Sequence, residues 1–226
     1  MYYSLCVIMK MTQRQTRKEM DRQSRRRIVL DAARGLLIKK GIEGTSMEDI
    51  AAAVDYTRRT LYAYFKSRDE LLLGIFAEDL ADRRKKQRRA TADACTGLET
   101  IIAWGRSFYE YARENPHSLL LQIYWDYRGI DRRRIGRSAF KEFETVNDGL
   151  VADLREAFRA GVSDRSLRPD LDIDLCISQY IYSLRAILNR ALSGKYSFAS
   201  FDSDRYVRHY LDLFSRAIRN PKGKHR

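Results

Sequence analysis

Residues 54–65 read VDYTRRTLYAYF and place two arginines, two threonines and three tyrosines within twelve positions. Each arginine carries a planar fork of five donors, able to grip paired acceptors such as phosphate oxygens or the O6 and N7 edge of guanine. The hydroxyls beside them are short or rigid donors that suit phosphate oxygens. This is chemistry for recognising a polyanion. The charge of the chain has the same bias: the formal net charge is +13, and residues 1–90 hold 21 Lys and Arg against 12 Asp and Glu, while the rest hold 22 against 18. A positive field concentrated at the N-terminal end points to nucleic acid or to an anionic membrane surface.

Covalent and metal chemistry find little support. His117, His209 and His225 are isolated, and no G-x-S-x-G, H-E-x-x-H or phosphate-binding glycine loop occurs, so no catalytic residue and no cofactor is expected. Cys6, Cys95 and Cys176 are odd in number, widely spaced and without a C-x-x-C pair, which argues against a disulfide framework or a cysteine metal site and fits a reducing cytoplasm. The opening MYYSLCVIM is apolar for about nine residues, too short for a spanning helix, and its charges follow rather than precede it, so no signal peptide and no membrane role is expected. Met9 and Met11 are alternative starts.

The elements that must position the arginines are helical. Apolar residues recur three and four apart almost throughout and only three prolines occur, Pro116, Pro169 and Pro221. From about Ser24 to Lys40, Val29, Ala32, Ala33, Leu36 and Leu37 share one face, with Lys39, Lys40 and Gly41 as a stop signal. TSME reads as a capping box from Thr45 to Glu48, opening a short helix to about Ala53; Thr57 caps a third of two turns; SRDE repeats the box at Ser67 and Glu70. Two short helices joined by a turn of about three residues are the size of a helix-turn-helix unit, whose second helix can enter a DNA major groove. A fourth helix carries Leu71, Leu72, Ile75, Phe76 and Leu80 inward and runs into RRKKQRR at 83–89, read as a solvated face with a general electrostatic pull on DNA. Longer helices follow at about 97–114, 117–128, 132–160, 170–193 and 202–219, about nine in all.

RRRIVLDAARGLLIKKGIEGTSMEDIAAAVDYTRRTLYAYFKSRDELL, residues 25–72, resembles the N-terminal domain of TetR-family transcriptional regulators, through Ile28, Ala32, Ala33, Gly41, Thr45, Ile50, Ala51, TLYAYF and SRDELL. The resemblance implies an all-α fold: a three-helix DNA-binding domain with a helix-turn-helix, then a larger helical domain for ligand binding and dimerisation. We expect a basic, flexible arm over 1–23, the DNA-binding domain over 24–70, the regulatory domain over 71–220 and a tail over 221–226. Two departures stand out: Asp55 and Tyr56 occupy a turn where the family usually has Gly-Val, and Tyr64 stands where a His is common. Asp tolerates the left-handed region better than most residues, so the turn can survive.

On the helix that Thr57 opens, Arg58, Arg59 and Tyr62 lie on the solvent side while Leu61 and Phe65 turn to the core. The expected DNA-binding set is Thr45, Thr57, Arg58, Arg59, Thr60, Tyr62, Tyr64 and Lys66, with Arg59 placed deepest in the groove by the resemblance. The plain alternative makes the arginines solvated charges or phosphate clamps, and Thr45 and Thr57 caps. In the regulatory half the resemblance implies an inducer pocket; Trp104, Phe108, Tyr124 and Phe143 are its expected lining, although an aromatic stripe is as often plain core. Asp126 and Arg128 are candidates to orient a polar ligand or form a surface pair. Stripes of Ile177, Ile181, Leu184 and Leu188, then Tyr206, Tyr210, Leu213 and Phe214, are the expected dimer interface, against plain intramolecular packing. The expected protein is thus a homodimeric repressor of a palindromic double-stranded DNA operator, released by a small-molecule effector. The alternative is a DNA-binding protein that is constitutive or controlled by a protein partner.

Overall fold

The computed structural model of the chain describes residues 2–193 and 202–221, with side chains for 20–192 and 202–221. Among the described residues nine α-helices occur: α1 Tyr2–Lys40, α2 Met47–Ala53, α3 Arg58–Tyr64, α4 Arg68–Ala90, α5 Gly97–Glu114, α6 Pro116–Arg128, α7 Arg137–Ser163, α8 Ile173–Ser193 and α9 Ser203–Ile218. A short 3-10 turn at Arg132–Arg134 precedes α7, and the extended pairing among the described residues is one antiparallel bridge, Leu167 to Arg219. Of the break expected between the last two helices, residues 194–201 lie outside the described residues, as do tail residues 222–226.

Three boundaries differ from the sequence expectation. Where a flexible arm was expected over 1–23, α1 runs continuously from Tyr2; no Gly or Pro precedes Gly35, and Arg, Lys, Gln, Glu and Met are good helix formers. The helix expected from 132 begins instead at Arg137, because Ile135 takes extended angles (φ −119, ψ 136) and separates it from the 3-10 turn. The capping box at the second helix is shifted by one residue. Ser46 is the N-cap, its hydroxyl accepting from the Asp49 N–H at 3.1 Å while the Asp49 carboxylate accepts from the Ser46 N–H at 3.1 Å. Thr45 is buried and donates its hydroxyl to the Gly41 carbonyl at 2.8 Å, so it closes the preceding turn instead of opening the helix.

The chain divides into two compact units: Met1–Ile75 with Asp131–Ala139, and Phe76–Ile130 with Phe140–Arg226. In the first, α1 contributes Val29, Leu30, Ala33 and Leu37, α2 contributes Met47, Ile50 and Ala51, α3 and its C-cap contribute Leu61 and Phe65, and the start of α4 contributes Leu71, Leu72 and Ile75. Burial of a side chain of this size stabilises by roughly 1.5–3 kcal/mol, which exceeds what a two-turn helix can supply from its own hydrogen bonds. Arg68 ties the turn between α1 and α2 to α4 by donating to the Thr45 carbonyl at 2.9 Å and to the Ile42 carbonyl. At SRDE the Ser67 hydroxyl accepts from the Glu70 N–H at 3.0 Å, but the Glu70 carboxylate takes the Gly136 N–H at 2.9 Å instead of returning to Ser67, so only half the expected box forms.

In the second unit, α5, α6, α7, α8 and α9 pack around one core that holds Ile101, Trp104, Phe108, Leu154, Phe158, Leu184 and Leu211. Tyr180 is wholly buried at its centre and donates to the Ile101 carbonyl at 2.8 Å. Gly105 allows this approach, since a Cβ there would meet the Tyr180 hydroxyl oxygen at 2.0 Å.

Candidate nucleic-acid interface

The reading element starts from the turn between α2 and α3. Val54 closes α2, and Asp55 takes φ 54, the left-handed angle that the turn requires and that Asp tolerates. The Tyr56 N–H then returns to the Ala51 carbonyl at 2.9 Å, which fixes the chain reversal. Thr57 is extended (φ −68, ψ 154) and caps α3, accepting from the Thr60 N–H at 3.1 Å; the two threonine hydroxyls are 2.8 Å apart and hydrogen-bonded. Leu61 and Phe65 are fully buried, so the remaining faces of this two-turn helix are turned outward by the anchoring of one.

Thr57, Arg58, Arg59, Tyr62 and Lys66 are exposed, and Thr60 and Tyr64 are half-buried. Arg58 lies 3.2 Å from Glu48 of α2 and its guanidinium sits 5.6 Å from the Tyr62 ring centroid. Arg59 makes no ion pair with any described residue, leaving its fork for an external acceptor. Lys66 follows the C-cap Phe65. Thr45 does not belong to this surface: with its side chain buried and its hydroxyl committed to Gly41, it cannot reach a phosphate. Asp49 pairs with Lys40 at 2.8 Å and is part of the cap; hydrogen bonds from Lys40 and then Ser46 hold its carboxyl well below the usual carboxylate range.

The two departures from the family pattern meet each other. Tyr56, in the turn, and Tyr64, in the last turn of α3, stack with centroids 6.1 Å apart and planes 23° apart. A larger residue at one position is matched by a flat ring at the other, worth about 0.5–1.5 kcal/mol beyond area burial. Nothing in single-residue reasoning paired them; their eight-residue separation, two turns plus the chain reversal, was the available signal.

The pocket-lining expectation in the second unit splits. Trp104 and Phe108 are buried, edge to face at 5.9 Å, whereas Phe143 stacks on Phe76 at 5.8 Å and half-buried Tyr124 packs edge-on to Trp125 at 5.1 Å. Asp126 pairs with Arg185 at 3.1 Å, and Arg128 lies over the Tyr124 ring, so Asp126 and Arg128 are not partners. Of the residues expected at a dimer interface, Ile177, Leu184 and Leu188 are buried in the unit's own core and have no face left for a second copy. Ile181, Tyr206, Tyr210 and Phe214 are half-buried and Leu213 is exposed; Phe214 and Tyr210 lie 4.5 and 6.5 Å from the Tyr180 ring. The outward face of α8 carries Leu175 and Tyr182 instead, one heptad apart.

RRKKQRR corrects the largest misreading. Arg83 and Gln87 are buried at 4% and 2% exposure, and with buried Asp79 they place three polar side chains four apart on the inner face of α4. The signal was available, since 72, 76, 80, 83 and 87 continue one helical stripe. Asp79 faces His117 of α6, Oδ2 to Nε2 at 3.3 Å. Among the described residues no group of three or more His, Cys, Asp or Glu is placed to hold a metal ion, and no helix is long and apolar enough to cross a membrane.

Residues 29–75 match the family described as "Bacterial regulatory proteins, tetR family". The chain is 28% identical over 154 residues to the HTH-type transcriptional repressor KstR2 of Rhodococcus jostii, covering 68% of this chain and 73% of that one. It is similar in fold to the regulator FadR of Bacillus subtilis in complex with stearoyl-CoA, with a TM-score of 0.65 at 14% identity over 88% of this chain and 98% of the other. A like similarity holds to AibR in complex with isovaleryl coenzyme A and operator DNA, with a TM-score of 0.62 at 19% identity over 84% and 97%. Residues 29–75, with a capped two-turn helix bearing exposed arginines, are thus a TetR-family DNA-binding domain, and the chain as a whole is similar to DNA-binding transcriptional regulators of that family.

Proposed function

We propose that the protein is a homodimeric repressor that binds a palindromic operator in the cytoplasm and leaves it when a small molecule enters the second unit. The observation that carries this reading is the exposed face of α3, with Arg58, Arg59, Tyr62 and Lys66 outward and Leu61 and Phe65 anchored. Arg59 reads a base edge, Arg58 is shared between Glu48 and DNA, and Thr57, Thr60, Tyr62, Tyr64 and Lys66 hold phosphates and set register. A two-turn helix covers few base pairs, so two copies on half-sites about 34–36 Å apart supply the contacts that one lacks. The protein acts by binding and release and performs no catalysis.

Two similar folds hold acyl-CoA thioesters, which makes that class the first to assay as effector. A ligand moves the equilibrium only by its differential affinity for the DNA-competent and released states. The test is fluorescence anisotropy of labelled DNA from upstream of the gene, against scrambled competitor, at about 150 mM salt, where non-specific attraction is screened. Saturable binding by two protomers per site, reversed by an acyl-CoA or a metabolite extract, is the expected result. Operator binding that no such addition reverses would leave the constitutive or partner-controlled reading in its place.

A further inference from the structure

The inner face of α4 presents a problem of charge. Arg83 is 4% exposed; its Nη1 donates to the Gln122 Oε1 at 3.2 Å and its guanidinium lies 4.1 Å from the Phe108 ring centroid. Its Nε finds no acceptor among the described residues. The same is true of Nε2 of Gln122, Nε1 of Trp104, Nε1 of Trp125 and Nε of Arg185, all of which only donate. These groups adjoin one another: Gln87 donates to the Trp104 carbonyl at 3.4 Å, Trp104 meets Phe108, and Trp125 lies one turn beyond Gln122 on α6. Against these five donors stand two acceptor-only atoms without a hydrogen bond, Oε1 of Gln87 and Oδ2 of Asp79. The interior therefore has surplus donors between aromatic walls.

Burial lowers the pKa of Arg83 to about 9, and the charge of Arg185 adds to the effect. It is still a cation at neutral pH. Tyr111 and the Asp79 carboxylate, one turn away on α4, act in the opposite sense and offset part of that lowering; Asp79 also faces His117, and Asp126 pairs with Arg185. Burying an ion costs several kcal/mol unless geometry and hydrogen bonds offset it, so such a group is a poor choice for stability alone. Sites that hold a residue against stability are commonly functional.

We infer that the effector carries a carboxylate on a largely apolar body, and that the carboxylate seats on Arg83 and Gln122 between Trp104, Phe108 and Trp125. A carboxylate has acceptors only, matches the guanidinium fork in two parallel hydrogen bonds, and supplies acceptors that the surplus donors lack. The inference rests on the ligand-released reading above. The carboxylate belongs either to a free acid or to the far end of an acyl chain held as a CoA half-thioester of a dicarboxylic acid.

The experiment uses the full chain on its operator. Release is titrated with free aromatic and medium-chain acids, with CoA half-thioesters of dicarboxylic acids, and with the carboxamide of each, for the wild type and Arg83→Met. Half-release at a concentration at least tenfold lower for an acid than for its amide, with that preference gone in R83M, is the expected result; whether free acids or half-thioesters act identifies the source. In parallel, melting of the ligand-free proteins should show R83M more stable by about 2–8 °C, as a buried cation with an unmet Nε donor is removed. Release by amides as readily as by acids, an acid preference that survives in R83M, or no release by any acid would each overturn the inference. R83M that melts lower or does not fold would assign Arg83 a structural role and overturn it too. Operator binding that responds to neutral compounds alone would sink this inference and keep the ligand-released reading, whereas binding that responds to nothing would remove both.

Discussion

Arg58 and Arg59 are neighbours in sequence with the same chemistry, yet the structure gives them different work, and alanine replacement should separate them. Arg59 is exposed and without an ion pair among the described residues, so replacement removes a bidentate base contact and leaves nothing unpaired within the protein. At about 1–3 kcal/mol per contact and two copies per operator, R59A should weaken the cognate complex by about 2–6 kcal/mol, or roughly 30-fold to 10⁴-fold. Binding to scrambled DNA should change only a few-fold. Arg58 must first leave Glu48, 3.2 Å away, and an exposed pair of this kind is worth about 0–1 kcal/mol; its net contribution on DNA is smaller by that amount. R58A should therefore cost about 1 kcal/mol per copy, spread more evenly over sequences. Lys66→Ala supplies the reference for a phosphate contact: all sequences weaken alike and the slope of log K against log salt falls by about 0.9 per copy. The assay is anisotropy with cognate and scrambled duplexes at three or more salt concentrations. If R59A loses cognate and scrambled affinity by the same factor and flattens the salt slope as K66A does, the base-reading role is wrong.

The cap position is testable separately: Ser46→Ala should cost about 1 kcal/mol and lower the melting temperature by a few degrees, whereas Thr45→Val should leave the salt slope of DNA binding untouched because that hydroxyl is buried against Gly41. The Asp49 carboxyl lies below its ordinary value of 3.8 in the folded chain, so its contribution is present above about pH 5 and is lost as pH falls through and below that value. Thermal melts of wild type and Asp49→Asn should differ by a constant amount from pH 7 to about 5 and converge below about 4; a constant gap down to pH 3 would reject the assignment. Gly105→Ala should destabilise by about 1–3 kcal/mol, a drop of about 2–12 °C, since its Cβ would lie 2.0 Å from the Tyr180 hydroxyl and 2.7 Å from Leu211. Adding Tyr180→Phe removes the nearer atom and should restore more than half of the loss, measured by calorimetry of both variants.

Local physics carried far in this chain. Helical periodicity, the stop at Gly41, the cap at Thr57 and the inward pair Leu61 and Phe65 depend on neighbours within one or two turns, and all could be read from residue order. So could the left-handed turn at Asp55, whose conformational demand is local. One-residue choices were harder: Thr45 and Ser46 are both able caps, and burial of Thr45 against Gly41, an outcome of how α1 and α2 close, selected Ser46. What tertiary structure alone decided was which face of each longer helix meets a partner. The stripe Ile177, Leu184 and Leu188 is apolar whether it packs inward or onto a second copy, and the fold turned it inward. A run such as RRKKQRR reads as solvated because charges avoid burial, yet the packing of α4 against α5 and α6 drew Arg83 and Gln87 inside. Residue order sets the period of a helix; its rotation about its own axis is set by the sum of contacts with segments distant in sequence.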